Sequence, residues 1–285
     1  MGTDLVASGR LLPYAPFNPP DTHLSMDLNL SGKRVLVTGG NTGLGAAIAA
    51  AFAAEHTRVA INYVAQPEAA QSLASRLRAT SADVQTLEAD ISDADAVEAM
   101  FTALDKAWGG IDILINNAGV DGTRSLAWEA DLAAWGHVVQ INLTGAFHCA
   151  RAALRRMVAQ RSGVVINISS VHEQIAWSGY SAYAASKAGL SMLSKTLAQE
   201  AGPFGVRVLC IAPGAIKTTI NASVWQDPAG TLDLLGKIPL GRVGEPQDVA
   251  RLAVVLASEV AAYVTGTSVF VDGGMTDYPD FGHGG

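Results

Sequence analysis

From Lys33 onward, short apolar runs alternate with longer stretches of helical period. "RVLVTGG" (Arg34–Gly40) is β-branched and ends in glycine, which predicts a strand running into a turn. "GLGAAIAAAFAAE" predicts the first helix. "RVAINY" (Arg58–Tyr63) predicts a second strand. "PEAAQSLASRLRAT" (Pro67–Thr80) predicts a helix with proline in its first turn, where a missing N–H costs little. "VQTLEAD" (Val84–Asp90) reads as a third strand. "DADAVEAMFTALDKAW" (Asp93–Trp108) reads as a helix with acidic residues at the positive end of its dipole.

The alternation persists to the end of the chain. Strands are predicted at Ile111–Gly119, Gly163–Ser170, Val206–Gly214 and Ser268–Gly274. Helices are predicted over about Leu132–Gln160, Tyr180–Ala201 and Glu245–Ser258, with a loop and short helices over about Thr218–Leu235. Near-continuous apolar strands separated by helices imply a parallel sheet buried on both faces. The expected fold is α/β: a doubly wound parallel sheet (the Rossmann fold) of about seven strands, with helices on both faces. Residues 1–27 are Pro-containing and aperiodic and are read as an irregular extension; residues 28–285 are read as one domain.

Composition narrows the function. Of 285 residues, 49% are hydrophobic and 16% charged, enough for one large core. The net charge of −7 and the lack of a basic patch argue against nucleic acid. "AAIAAAFAA" (Ala46–Ala54) is the longest small-apolar run and falls far short of the ~20 residues a membrane span needs. No basic segment followed by a long apolar run marks a signal peptide, so a cytoplasmic protein with a small-molecule substrate is expected. Cys149 and Cys210 sit in apolar contexts and read as buried thiols. The histidines show no ligand spacing, so no metal is expected.

"TGGNTGLG" (Thr38–Gly45) joins the first strand to the first helix. Gly39, Gly43 and Gly45 permit a tight turn, close approach of a phosphate and tight helix–strand packing. Asn41, Thr42 and Leu44 lie in the same turn, and the free N–H groups of the helix start suit a pyrophosphate. A nucleotide site is expected there. The Gly-x-x-x-Gly-x-Gly spacing resembles that of the short-chain dehydrogenase/reductase family, which binds NAD or NADP.

"GYSAYAASKAG" places Tyr183 and Lys187 one turn apart, on one helix face. Ser170 lies at the carboxyl end of strand five, at the sheet edge where α/β folds bind ligands. Ser-x12-Tyr-x-x-x-Lys resembles the family's catalytic pattern, and Asn142 in "QINLTGAF" resembles the asparagine of its tetrad. The resemblance spans about Leu28–Gly274. It implies that Tyr183 is the general base in oxidation and the acid in reduction. Ser170 bonds the substrate oxygen, Lys187 holds the nicotinamide ribose and lowers the Tyr183 pKa, and Asn142 orders a water. It further implies that Asp90 and Ile91 meet adenine and that Asn117, Ala118 and Gly119 flank the adenosine ribose. Pro213, Gly214, Ile216 and Thr218 hold the carboxamide.

The end of strand two, Asn62-Tyr63-Val64, offers neither an acid to repel a 2′-phosphate nor an Arg to clamp one, so the cofactor is read as NAD(P), with Tyr63 among its contacts. Asp121, His172, Glu173 and Asn221 would ring the mouth with hydrogen-bonding groups, beside Asp227, Trp177 and Trp225. Such a mouth suits a polyhydroxylated substrate better than an apolar one. "INISSVHEQIAW", "APGAIKTTINASVWQDP" and "DGGMTDYP" resemble the glucose 1-dehydrogenase branch of the family, implying oxidation of β-D-glucose at C1 to the lactone. Another sugar, a polyol, a steroid or a ketoacyl compound stays open, as does, more distantly, a non-enzymatic NAD(P)-binding sensor. Helices 132–160 and 180–201 carry apolar residues on more than one face, and the resemblance implies a homotetramer with Tyr278–Phe281 near an interface.

Overall fold

The computed structural model describes residues 27–79, 83–218 and 228–277. Seven strands form its centre: β1 (Arg34–Val37), β2 (Arg58–Tyr63), β3 (Val84–Glu88), β4 (Ile113–Asn116), β5 (Gly163–Ile168), β6 (Val206–Pro213) and β7 (Ser268–Val271). All pairings are parallel, in the order β3-β2-β1-β4-β5-β6-β7. The order reverses between β1 and β4, so a crevice opens at the carboxyl ends of those strands.

The period of two seen in the apolar runs divides the core. Val35, Val37, Ile113, Ile115, Ile166 and Ile211 face one side, where α1 (Gly43–Ala54), α2 (Pro67–Arg78) and a late helix, Pro246–Ala257, pack. Leu36, Leu114, Val165 and Val208 face the other, against α3 (Ala94–Trp108) and the helices that follow β4 and β5. Asp93 caps α3 by accepting from the Asp95 and Ala96 N–H groups, and Gly109 ends it at φ 76.

The long helix expected over 132–160 is present but not uniform. It comprises α4 (Leu132–Val139), a π segment (Gln140–Gly145) and α5 (Ala146–Gln160). Helix α6 runs over Ser181–Ala201, α7 over Pro228–Leu235 and α8 over Pro246–Ala257. Strand four ends at Asn116, earlier than expected, because Asn117 and Ala118 donate to the Thr38 hydroxyl (3.0 Å each) rather than to a neighbouring strand. Strand five ends at Ile168 because Ser170 caps a 3-10 turn, Val171–Glu173.

A polar line crosses the otherwise apolar interior. Asn116 Nδ2 donates to Asn167 Oδ1 (2.8 Å), and Asn167 Nδ2 donates to Ser194 Oγ on α6 (2.8 Å). Ser194 Oγ also lies 3.0 Å from Cys210 Sγ. All four residues are buried. Asn221, Trp225, Asp227, the Tyr278–Phe281 segment and the extension before Asp27 lie outside the described residues. Among the described residues, no helix is long and apolar enough to cross a membrane and no cluster of His, Cys, Asp and Glu could hold a metal.

Candidate active site at the sheet's carboxyl edge

The glycine turn is bolted on two sides. Asn117 Nδ2 donates to the carbonyls of Thr38 (3.0 Å) and Gly39 (3.1 Å). Asn62 accepts from Gly39 N–H (3.3 Å) and donates to the Ala89 carbonyl (2.9 Å), tying the turn to β2 and β3. Asn41 Nδ2 donates to the Ala65 carbonyl (2.8 Å). A Cβ at Gly45 would collide with Gly39 O, so only glycine lets α1 start this close to β1. Gly43 stands at φ 52 with nothing within 4 Å of where a Cβ would be. Thr42 makes no side-chain cap and the first turn of α1 holds no acid, which leaves its N–H groups to an incoming anion. This cradle fits a pyrophosphate.

Of the other expected cofactor contacts, Asp90 is exposed past β3, where it accepts from Ser92 N–H, and Ile91 is buried beside it. Tyr63 is nearly buried, while Val64, one residue on, is 66% exposed. Pro213 ends β6 and Gly214 N–H donates to the Val271 carbonyl (3.0 Å), which orients the segment through Ile216 to Thr218. A Cβ at Gly214 would stand 2.7 Å from Asp272 Cβ, so close packing requires glycine.

Asn142, Ser170, Tyr183 and Lys187 come together around α6. Lys187 is 5% exposed and donates from Nζ to the Ile168 carbonyl (2.8 Å). Its ammonium lies 5.6 Å from the Tyr183 ring centre. Burial pulls the Lys187 pKa down to about 8, against the pull of Asp121, Cys210 and Glu173 toward the charged form. Burial pushes Tyr183 up to about 12; the Ser170 hydroxyl pulls the other way, and Asp121 adds to the rise. In the protein without cofactor, loss of solvent sets the direction of the Tyr183 shift.

The Asn142 side chain spends its groups on the scaffold. It accepts from Val120 N–H (2.8 Å) and donates to the Val120 carbonyl (2.8 Å) and to Ser186 Oγ (3.1 Å). Ser186 Oγ in turn donates to the Tyr183 carbonyl (2.7 Å), so Asn142 links the loop after β4 to α6. Its position in the π segment widens the helix there and disturbs the regular i→i−4 ladder.

At the mouth, Asp121 and His172 remain near Tyr183, but Glu173 does not present itself. Its Oε1 accepts from Ser191 Oγ (3.0 Å), and its Oε2 is enclosed without a partner among the described residues. The cause is the 3-10 turn, whose three residues per revolution send neighbouring side chains in different directions. His172 stacks on Trp177 (4.4 Å between ring centres) and Trp177 on Tyr180 (3.9 Å). Tyr183 stands edge-on to both His172 and Trp177. Burial lowers the His172 pKa, more than its bond to the Ile175 carbonyl and the Asp121 charge raise it. Burial raises that of Asp121, against Lys187 and His172.

Sequence reasoning missed Asn62, Thr38, Ser186 and Asn167. The available signal was polar residues inside β-branched or helical runs that otherwise bury apolar groups.

A parallel sheet with a glycine cradle at its reversal point and a Ser–Tyr–Lys group beside it defines a dinucleotide-dependent oxidoreductase. The family model described as enoyl-(acyl carrier protein) reductase matches residues 39–276. A 3β-hydroxysteroid dehydrogenase 1 of Eggerthella lenta is 45% identical over 257 residues, 90% of this chain and 98% of that protein. Glucose 1-dehydrogenase 2 of Bacillus subtilis is 38% identical over 252 residues, 88% and 97% of the two chains. The structure of a gluconate 5-dehydrogenase from Burkholderia cenocepacia, in complex with NADP and tartrate, superposes with a TM-score of 0.84 at 32% identity, covering 88% and 98%. The chain belongs to the short-chain dehydrogenase/reductase family.

Proposed function

We propose that the protein oxidises a ring-borne alcohol with NAD(P)+, and that the C1 hydroxyl of β-D-glucose is its substrate. The observation that carries this is the meeting of Ser170, Tyr183 and Lys187 beside the glycine cradle. Gly39, Asn41, Gly43 and Gly45 would hold the pyrophosphate, Asp90 and Ile91 the adenine, and Asn117, Ala118 and Gly119 the adenosine ribose. Tyr63 would flank the 2′ position. Pro213, Gly214, Ile216 and Thr218 would hold the carboxamide, and Lys187 the nicotinamide ribose. When bound, NAD(P)+ accepts the hydride that leaves the carbinol carbon.

Ser170 Oγ bonds the substrate oxygen while Tyr183 Oη takes the hydroxyl proton, leaving a carbonyl. With its pKa near 12 in the free protein, Tyr183 holds its own proton, and this proton goes to solvent as Oη takes the substrate's, so one proton is released for each hydride transferred. Lys187, near 8, is the adjacent group that changes charge around neutral pH. In the reverse direction Tyr183 is a loaded acid. Neither an acid nor an arginine stands at the end of β2, so NAD and NADP should differ by under ~3 kcal/mol in kcat/KM.

Support for glucose comes from His172 and Asp121 at the mouth and from the Bacillus subtilis relative. A second reading, a 3β-hydroxysteroid, is favoured by the Trp177–Tyr180 wall and the Eggerthella lenta relative. A panel of aldoses, polyols, hydroxysteroids and 3-ketoacyl thioesters, followed by NAD(P)H absorbance, decides between them. Signal from steroids alone sinks the sugar assignment, and no signal from any of them sinks the dehydrogenase.

We also infer a cytoplasmic homotetramer. Trp128, Leu132, Phe147 and Met192 are exposed apolar groups around α4, α5 and α6, and both cysteines are unpaired. A monomer mass in light scattering would rule the tetramer out.

A further inference from the structure

We propose that Gln140 and His148 are positioning residues for the adenine end of the cofactor: from the helical stretch α4–α5 they grip the loop after β3 and so fix the edge that the base meets. This rests on the NAD(P) reading of the site and extends it to two side chains not counted among the cofactor contacts.

The grip is on backbone carbonyls. His148 Nδ1 lies 3.1 Å from the Ile91 oxygen, which can only accept, so the ring is the donor. Gln140 Nε2 donates to the Ser92 oxygen (3.1 Å). Asn62 already holds the Ala89 oxygen (2.9 Å), and Asp93 N–H donates to that of Asp90 (3.1 Å). Every carbonyl from Ala89 to Ser92 is therefore engaged. The Ile91 N–H, in contrast, has no partner among the described residues. Beside it, the exposed Asp90 carboxylate is aimed by the Ser92 N–H (2.8 Å). A donor next to an acceptor matches the edge of adenine, where a ring nitrogen accepts and the 6-amino group donates.

Two features bring the helix to this loop. His148 follows Gln140 by eight positions, which in a regular α-helix would set them about 80° apart. The π segment, Gln140–Gly145, lies between them and absorbs about one extra residue, which turns both toward the loop. Gly145, at its end, is the second feature: a Cβ there would stand 2.8 Å from Ile91 Cγ1 and 3.0 Å from the Ile91 oxygen. A larger residue would push the helix off the loop and stretch both bonds. A loop held this way before the cofactor arrives loses less freedom on binding, and that raises affinity without a contact to the cofactor. The His148 bond is half-buried and the Gln140 bond exposed, so His148 carries the larger share.

The test titrates the full chain with the tighter-binding of NADH and NADPH, and with the same dinucleotide carrying hypoxanthine in place of adenine, followed by nicotinamide fluorescence. Hypoxanthine has an oxygen where adenine has its amine, so it has nothing to donate to Asp90. The wild-type chain should bind the adenine form at least about threefold more tightly. His148→Leu should weaken the adenine form about three- to tenfold and the hypoxanthine form less, so that the ratio narrows. Gln140→Leu, an exposed change that leaves the fold alone, should act in the same direction by about two- to threefold. His148→Asn, which offers an amide N–H at the position of Nδ1, should stay within about twofold of wild type. Unchanged affinity in both leucine variants overturns the proposal, as does a wild-type ratio near one. Equal weakening of the two dinucleotides overturns it as well, because it marks a loosened fold and not a displaced base edge, and so does a failure of asparagine to rescue. A wild-type chain that binds neither NADH nor NADPH removes the nucleotide reading itself, and the proposal with it.

Discussion

Replacing Lys187 with methionine should stabilise the cofactor-free protein at neutral pH while abolishing turnover. Burial moves the Lys187 pKa from 10.5 to about 8. At ~1.4 kcal/mol for each tenfold change in proton affinity, the folded state then carries ~3 kcal/mol of unfavourable charge burial below pH 8. Methionine removes that charge at similar length. It also leaves the Ile168 carbonyl without its 2.8 Å donor, which costs ~1 kcal/mol. The net gain is ~2 kcal/mol. The sign with pH follows from proton counting. Between about pH 8 and pH 10.5 the unfolded chain holds a proton that the folded chain has released, so wild-type stability rises relative to the variant. The gap should close through that window and end with the variant slightly the less stable. Urea unfolding at about pH 7 and about pH 10.5, at one protein concentration, measures both ends. A variant that is less stable at neutral pH, or a gap that ignores pH, refutes the reasoning.

Other changes have equally direct readouts. Tyr183→Phe should lower kcat by ~10²–10⁴ and leave the NAD(P)H dissociation constant within a few-fold; near wild-type turnover would remove Tyr183 from the chemistry. Gly45→Ala places a Cβ against Gly39 O and Asn117 Nδ2 and should cost ~1–3 kcal/mol with loss of cofactor binding by calorimetry. Asn62→Leu leaves Gly39 N–H and the Ala89 carbonyl without their partner and should cost ~1–3 kcal/mol in urea unfolding. It should also weaken NAD(P)H binding, because the cradle loses one of its two anchors.

The architecture was legible because strand residues alternate between two cores. Val35 and Val37 face one side and Leu36 the other, and that pattern survives in the sequence as short β-branched runs. Tyr183 and Lys187 were legible because helical spacing of four forces a shared face. Glu173 was not, because a three-residue 3-10 turn decides its direction and has no periodicity to read. The pKa of Tyr183 was not legible either. It depends on how much solvent is lost against the Ser170 hydroxyl and the Asp121 charge, and spacing along a helix fixes none of these. The part played by Asn62 depends on two chain segments brought together only by folding, the glycine turn and the end of β3.

The Asn116–Asn167–Ser194 line gives the catalytic helix a discrete address on the sheet. Apolar side chains tolerate sliding, since one methyl contact resembles the next. Amide and hydroxyl groups do not. Moving α6 by a single residue rotates it by about 100° and shifts it ~1.5 Å, which would strand buried donors at a cost of ~1–3 kcal/mol each. Intermediate placements are therefore disfavoured, and Tyr183 and Lys187 stay in register with β5 until the contact between helix and sheet gives way as a unit. Activity should accordingly vanish over the same narrow temperature interval as the fold, with no preceding regime of a slackened, half-active enzyme.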